Sequence, residues 1–421
     1  MMQSSPGYPR VRSLAAADPL SLPTLMHELA HTYMIWDPFV AGARRVDLHP
    51  LVLTKQMHER AVRVAEGVTR AVGRVASRAH DDPVERALYR RSPEVELLAA
   101  ASHAGGDHAS LVRVDLLLQE DGGIVACEVN SDCPGGHNEA LGLPRLARAA
   151  GFTLGQNPTT VVDELVARLA DLADGGAVAL IFATAYAEDL QVCALLQRAL
   201  TLRGVRAIRA PSTAPRLVDG ELRVGSVPVK VLYRYFPTEY MQGQRNVAGI
   251  AEAVASGAVR SITSFSHIYA QSKYAFARAC HHAAAALPED REVIEQNLPR
   301  TFDLRDVPRE DLKAHRGDWV LKRAYGRVGD EVFVGALVPA ESWTGLVDRV
   351  AGLCDTGESW IAQRFVRQRT VRTPWGPRYV TLGAYVLDGR FAGYFARVTP
   401  ESHVSHDALC VPVFHHDVPE E

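Results

Sequence analysis

Residues 113–130, reading RVDLLLQEDGGIVACEVN, constrain the fold of this chain more than any other stretch. Branched apolar residues alternate with polar ones on both sides of Glu120-Asp121-Gly122-Gly123, the pattern of two β-strands joined by a turn. Side chains alternate faces along a strand, so Val112, Val114, Leu116 and Leu118 are expected on one side with Val125, Cys127 and Val129. That side reads as core. The other carries Arg113, Asp115, Glu128 and Asn130. A two-residue turn at Asp121-Gly122 sets Asp115 opposite Glu128 and Arg113 opposite Asn130. A turn at Gly122-Gly123 changes the partners but keeps all four groups on one face.

Two carboxylates facing each other across a ladder repel by roughly 0.2–1 kcal/mol, so a positive group is expected between them. Two readings stand. In one, Arg113 neutralises them on the wet face of an ordinary hairpin. In the other, the positive group is Mg2+, which takes oxygen ligands and shares them between one or two carboxylates and substrate phosphates. Asp115, Glu128 and the amide oxygen of Asn130 would then form a half-shell that leaves room for a nucleotide.

At 421 residues the chain exceeds what one core usually serves, so two or three domains are expected. A net charge of -3 and a pI near 6.6 give no electrostatic footprint for nucleic acid or an anionic membrane. No apolar run approaches a membrane span, and MMQSSPGYPR lacks the apolar core of a signal peptide. Six scattered cysteines without a CxxC pair point to a reducing, cytoplasmic setting.

Residues 1–104 read as mainly helical. Within 50–80, Leu51, Leu53, Met57, Ala61, Val64, Val68, Val72 and Val75 recur at roughly helical spacing, and an exposed face of that helix would suit a homodimer. Residues 105–175 hold the hairpin and a loop, SDCPGGHNEALG, whose amides with Ser131, Cys133, His137 and Asn138 could line a substrate site. Residues 176–265 alternate strands and helices, with a hairpin at RLVDGELRV, as a small α/β domain. No GxGxxG and no GxxxxGK[ST] occurs there, which excludes a Rossmann or P-loop nucleotide site.

Residues 266–421 carry a second chemical cluster. Ser272-Lys273 falls in a helix reading YAQSKYAFARACHHAAAA, and the strand WVLK ends in Lys322. A glycine loop with Gly326 and Gly329 follows, then the strand EVFVG, together a flap whose amides suit phosphates. SWIAQRFV reads as another strand, and RYVTLGAYVLDGRFAGYFARV as an antiparallel pair turning at Asp388-Gly389.

Two histidine groups invite metal readings. His27-Glu28-Leu29-Ala30-His31 satisfies the HExxH pattern of zinc metalloproteases, with Glu28 available as general base and Glu59 or His49 as third ligand. The alternative is a structural helix with incidental histidines. His403, His406, His415 and His416 lie in what reads as a loop-like tail, where histidines are usually solvated.

Together the motifs resemble the glutathionylspermidine synthase type of circularly permuted ATP-grasp ligase. Arg113-Val114-Asp115 and Glu128-Val129-Asn130 resemble the family's R-x-D and E-x-N elements, and Gln271-Ser272-Lys273 its S-N-K segment. Lys322 with Gly326-Arg327-x-Gly329 resembles K-P-x-x-G-R-x-G, Gln363-Arg364-Phe365-Val366 resembles the Q-E-F-V hinge, and Arg397 the arginine after the final strand pair. The carboxylates precede both lysines, as in the permuted order. The departures are Arg323 for the proline, Arg364 for an acidic hinge residue, and Cys133 with Gly135 where relatives carry hydroxyls near glutathione.

The resemblance implies an α/β (α+β) ATP-grasp fold in permuted order, a small preATP-grasp-like domain at 176–265 and an N-terminal helical segment. It implies ATP-dependent joining of a small-molecule carboxylate to an amine through an acyl phosphate, with release of ADP and phosphate. Asp115, Glu128 and Asn130 would hold Mg2+, two ions in the family, while Lys273, Lys322, Gly326 and Gly329 cradle phosphates. Gln363, Phe365 and Val366 would contact adenine, Arg113 and Arg397 would act on the transferring phosphoryl group, and Arg327, Ser131 and Cys133 would bind substrate. The other classes are a zinc hydrolase on His27, Glu28 and His31, and a non-catalytic ATP-binding protein of the same fold.

Overall fold

The hairpin forms, and it is the edge of a larger antiparallel sheet. The structure, a computed structural model, describes residues 9–13, 20–40, 42–326, 331–403 and 408–416. Strands Leu111–Leu118 and Ile124–Asn130 pair antiparallel, and Tyr379–Leu387, Arg390–Thr399 and Leu409–Val411 extend the sheet from the first of them. Asp115 stands opposite Glu128 and Arg113 opposite Asn130.

That register arises differently from the expected two-residue turn. The turn takes three residues, Glu120-Asp121-Gly122, closed by Gln119 N donating to the Gly123 carbonyl at 2.9 Å. The pairing then shifts between Asp115 and Leu116, so Cys127 is an extra residue in a β-bulge. The bulge restores the offset lost at the turn. It also corrects the face assignment: Ile124 and Ala126 join Val112, Val114, Leu116, Leu118 and Val129 in the core. Cys127 turns to the opposite face, where it lines a cleft.

The core face is covered by the helix Lys55–Asp81, capped by Thr54 Oγ1, which accepts from Met57 N at 3.2 Å. Its Ala61, Ala65, Val68 and Val72 are buried against the sheet. Leu51 and Leu53, expected in this helix, belong instead to a strand, Leu51–Thr54. Leu51, Val52 and Leu53 are all buried, which suits a strand enclosed on both faces. It pairs in parallel with Val413–His416, so His415 and His416 sit on a strand rather than in a loop-like tail.

A second antiparallel sheet orders Thr301–Asp303, Trp360–Arg364, Trp319–Arg323 and Val332–Val334. Helix Ala340–Asp355 packs on it through Trp343, Val347 and Val350, which meet Trp319 and Trp360. The third sheet, spanning 177–262, is built on parallel strands Ala207–Pro211, Ala177–Phe182, Val227–Tyr235 and Arg260–Ile262. A hairpin at 216–224 extends it, its turn residues Asp219 and Gly220 both at positive φ. Helices Val161–Ala173 and Ala187–Leu202 cover one face, Val247–Ala255 and Pro93–Ala104 the other. Among the described residues no helix is long and apolar enough to cross a membrane.

Candidate nucleotide-binding cleft

A cleft of about 940 Å3, partly open to solvent, lies between the two antiparallel sheets. The five-stranded sheet contributes Arg113, Asp115, Glu128, Asn130 and Arg397, the four-stranded one Lys322 and Gln363, and the chain leaving it Phe365 and Val366. Nine of the sequence-selected residues therefore share one cavity.

Arg113 grips Asp115 with a bidentate fork, Nε to Oδ1 at 2.7 Å and Nη2 to Oδ2 at 3.0 Å. Arg397 Nη2 adds a third bond to Oδ2 at 2.7 Å. Burial alone would push the Asp115 carboxyl up, but Arg113 and then Arg397 hold it below its ordinary value. Glu128 behaves likewise: burial raises it, and the Lys273 ammonium 2.9 Å away brings it below the ordinary range. Lys322 Nζ donates to the Cys127 carbonyl at 3.0 Å, and burial lowers its pKa. The bulge thus serves Lys322 through its backbone.

Each carboxylate is neutralised by a cation of the chain, as the plain hairpin reading requires. The polar groups still leave sites for a ligand. Asn130 Nδ2 and Arg397 Nε are buried without a hydrogen-bond partner among the described residues. Amide N and O are interchangeable by a flip, so Asn130 can equally present its oxygen. Two carboxylates and an amide are a donor set that fits Mg2+. Among the described residues no group of three or more His, Cys, Asp and Glu could hold a metal, a count that leaves asparagine aside.

Lys273 owes its position to a break in its helix. The expected continuous helix divides into Ile268–Gln271 and Tyr274–His282, because Ser272 is extended and its Oγ accepts from Tyr274 N at 3.2 Å. Lys273 N donates to the Ala324 carbonyl at 2.8 Å and its Nζ to the Gly326 carbonyl at 2.6 Å, besides pairing with Glu128. Arg327 and Gly329 lie outside the described residues. Ser131 and Cys133 follow Asn130 but are not among the cleft's walls. The Ser131 hydroxyl is buried and donates to the His267 carbonyl at 3.1 Å.

Sequence reasoning missed several supports. Gly383 lies opposite Asp115 in the ladder, and a Cβ there would come within 2.9 Å of Arg113 Cδ and of the Phe395 carbonyl. A lone glycine inside a strand pattern is the signal that could have marked it. Gln271 Oε1 accepts from the amides of Ser131 and Asp132 at 2.8 and 3.0 Å. Asp132 is fully buried against Arg234 at 2.6 Å, and nothing in SDCPGG marks it. His403, assigned to a solvated tail, lines the cleft; His406 lies outside the described residues.

The HExxH segment follows a different course. Helix Leu22–His27 passes into a wider π-helical turn at Glu28–Thr32, which leaves the His27 and His31 rings 4.7 Å apart. His49 bonds Asp47 at 2.5 Å instead of approaching them. Among the described residues no third ligand completes a zinc site.

No family model matches the chain, and no curated protein matches it in sequence. Among solved structures it is similar to a glutathione synthetase-like effector from Globodera pallida in its apo form, at 12% identity and a TM-score of 0.56. The match covers 90% of this chain and 92% of that one. A protein designated a gamma-glutamylcysteine synthetase from Methylobacillus flagellatus KT matches at 13% identity over 81% and 84% of the two chains, TM-score 0.41. D-alanyl-alanine synthetase A from Vibrio cholerae matches at 12% over 54% and 68%, TM-score 0.34. The first of these likenesses establishes a shared fold: a mixed helix and sheet architecture common to this chain and the glutathione synthetase-like effector.

Proposed function

We propose that the chain is an ATP-dependent carboxylate–amine ligase of the ATP-grasp type in permuted order, acting on a small acid, amino acid or peptide and an amine. The observation that carries this reading is the convergence of Asp115, Glu128 and Asn130 with Lys322, Arg113 and Arg397 in one cleft, with Lys273 behind its wall bonded to Glu128 at 2.9 Å. Gln363, on the strand Trp360–Arg364, and Phe365 and Val366 just past it line the same cleft. The fold shared with the glutathione synthetase-like effector supports it. The order of the elements, with the carboxylate hairpin ahead of both lysines, supports the permuted form.

In this reading Asp115, Glu128 and Asn130 hold Mg2+, which supplies positive charge to the terminal phosphates of the nucleotide. Lys273 and Lys322 lie against the same phosphates. Arg113 and Arg397 face the transferring phosphoryl group, where preorganised donors in a water-poor site stabilise developing charge. A substrate carboxylate attacks the γ-phosphate, expelling ADP and giving an acyl phosphate. The amine attacks that carbonyl, expelling phosphate, losing a proton and leaving an amide. No side chain serves as a covalent nucleophile. Ser131, Cys133 and Arg327 are the proposed substrate contacts, and six cysteines without a disulfide among them fit the cytoplasm.

The test is phosphate release from ATP and Mg2+ over a panel of carboxylates, amino acids and short peptides, each with and without amines, with products weighed by mass spectrometry. Release that needs both partners, with a product one water lighter than their sum, is the expected result. An unchanged melting temperature at saturating Mg-ATP would overturn the reading.

A further inference from the structure

His403 stands in the cleft wall and makes no hydrogen bond with the described residues. Two anchors fix its place. Its neighbour Ser402 accepts, on its carbonyl, a bond from Gln368 Nε2 at 2.8 Å, and Gln368 lies two residues beyond Val366 at the hinge end. Thr399 Oγ1 donates to the Glu401 carbonyl at 2.6 Å, which pins the turn leading from Arg397 to His403. On the other side the ring feels the charge of Lys322 at the phosphate end. His403 is therefore tied through Ser402 to Gln368, just past Val366, and lies close enough to Lys322 to feel its charge.

In the cleft wall Arg397, Arg113 and Lys322 supply the charged donors that phosphates need, while Leu117, Val320, Val332 and Val334 offer an apolar surface suited to a base. Burial, and then the Lys322 ammonium, lower the His403 pKa, so the ring is neutral near pH 7. A neutral imidazole has one donor and one acceptor nitrogen. That pair matches a hydroxyl, which both donates and accepts, better than it matches a phosphate oxygen, which only accepts.

We propose that His403 binds the sugar of the nucleotide, its imidazole hydrogen-bonding a ribose hydroxyl so that the cleft separates ribonucleotides from deoxyribonucleotides. This rests on the reading of the cleft as an ATP site. The experiment is calorimetric titration of the full chain and of His403→Ala with ATP, 2′-deoxy-ATP and 3′-deoxy-ATP, in Mg2+ and without other substrates.

The native protein is expected to bind one of the deoxynucleotides about tenfold more weakly than ATP, the worth of one hydrogen bond. His403→Ala should lose about the same factor for ATP and bind ATP and that deoxynucleotide equally. His403→Gln, which keeps a donor and an acceptor, should recover part of the preference. A His403→Ala protein that melts normally and keeps the native preference would overturn this assignment while leaving the ATP site intact. Failure of the native protein to bind any of the three nucleotides would overturn both.

Discussion

Glu128 shows how much of the proposed chemistry rests on single side chains. Its carboxylate is held ionised by Lys273 within a buried site, so replacing it by glutamine removes the charge with almost no change of shape. Glu128→Gln is expected to lower ATP-dependent product formation about 10²–10³-fold and, by leaving the buried Lys273 without its counter-charge, to lower the melting temperature as well; full activity would remove Glu128 from the reacting site. Gly383 tests the support beneath it. An added methyl meets Arg113, Asp115 and the Phe395 carbonyl, so Gly383→Ala should cost about 1–3 kcal/mol in denaturant unfolding and most of the activity. Gly352, in helix Ala340–Asp355 with open space around it, is the control, and Gly352→Ala should leave activity unchanged. The charged residues were legible in the sequence because paired carboxylates opposite one another need a neutraliser. Gly383 and Gln271 were not, since what they do depends on strands and helices far away in the chain.

At the scale of elements, the bulge at Cys127 decides which way Glu128 and Asn130 point. Were Cys127 drawn into a regular ladder, both residues would swing toward the core, where unpaired polar groups cost on the order of 1–3 kcal/mol each or more; deleting Cys127 instead removes the extra residue and leaves both on the cleft face. The deletion should therefore give a folded protein that has lost the carbonyl bonded by Lys322 and binds ATP more weakly, whereas Cys127→Ser, which keeps that carbonyl, should fold and bind ATP as the native protein does. A deletion variant that fails to fold would show that the bulge does more than take up one extra residue. Alternation of apolar residues revealed the hairpin, but a turn one residue longer and a bulge of one residue cancel in the count. The helices Lys55–Asp81 and Pro93–Ala104 carry a second element-scale consequence. His80 stacks on His103 at 4.3 Å, and burial followed by the His103 charge lowers its pKa from 6.5 to about 4. Asp81, His267 and the Ser266 carbonyl also face it. Between those two values the unfolded chain binds the proton and the folded one does not, so stability falls as pH drops from 6.5 toward 4. His80→Gln should flatten that part of a melting-temperature profile, and an unchanged slope would exclude His80 as its source.

At the scale of the whole molecule, the question is what joins the carboxylate hairpin to the parallel sheet of residues 177–262. Asp132, two residues past Asn130, pairs with Arg234 on the strand Val227–Tyr235, and both side chains are fully buried. Arg234 also donates to the carbonyls of Phe236 and Thr263 at 2.9 Å each, and Asp132 accepts from Thr238 N and Oγ1 at 2.8 and 2.7 Å. One ion pair therefore ties the loop after the hairpin to two segments of the other sheet. Removing one partner strands the other's charge in the interior, which typically costs about 3–5 kcal/mol, whereas replacing both can be nearly neutral. Asp132→Asn and Arg234→Met should each unfold at clearly lower denaturant than the native protein, and the double variant should recover much of the loss. Activity should separate from stability in that double variant. With the ion pair gone, the loop that carries Ser131 and Cys133 keeps its bonds to Gln271 and His267 and, at Gly135, to Arg113 and Tyr385 but loses its tie to the parallel sheet, so ATP binding should persist while turnover of the acid and amine falls. Additive losses in stability, or full turnover in the double variant, would mean that the pair neither couples the two sheets nor positions the loop between them.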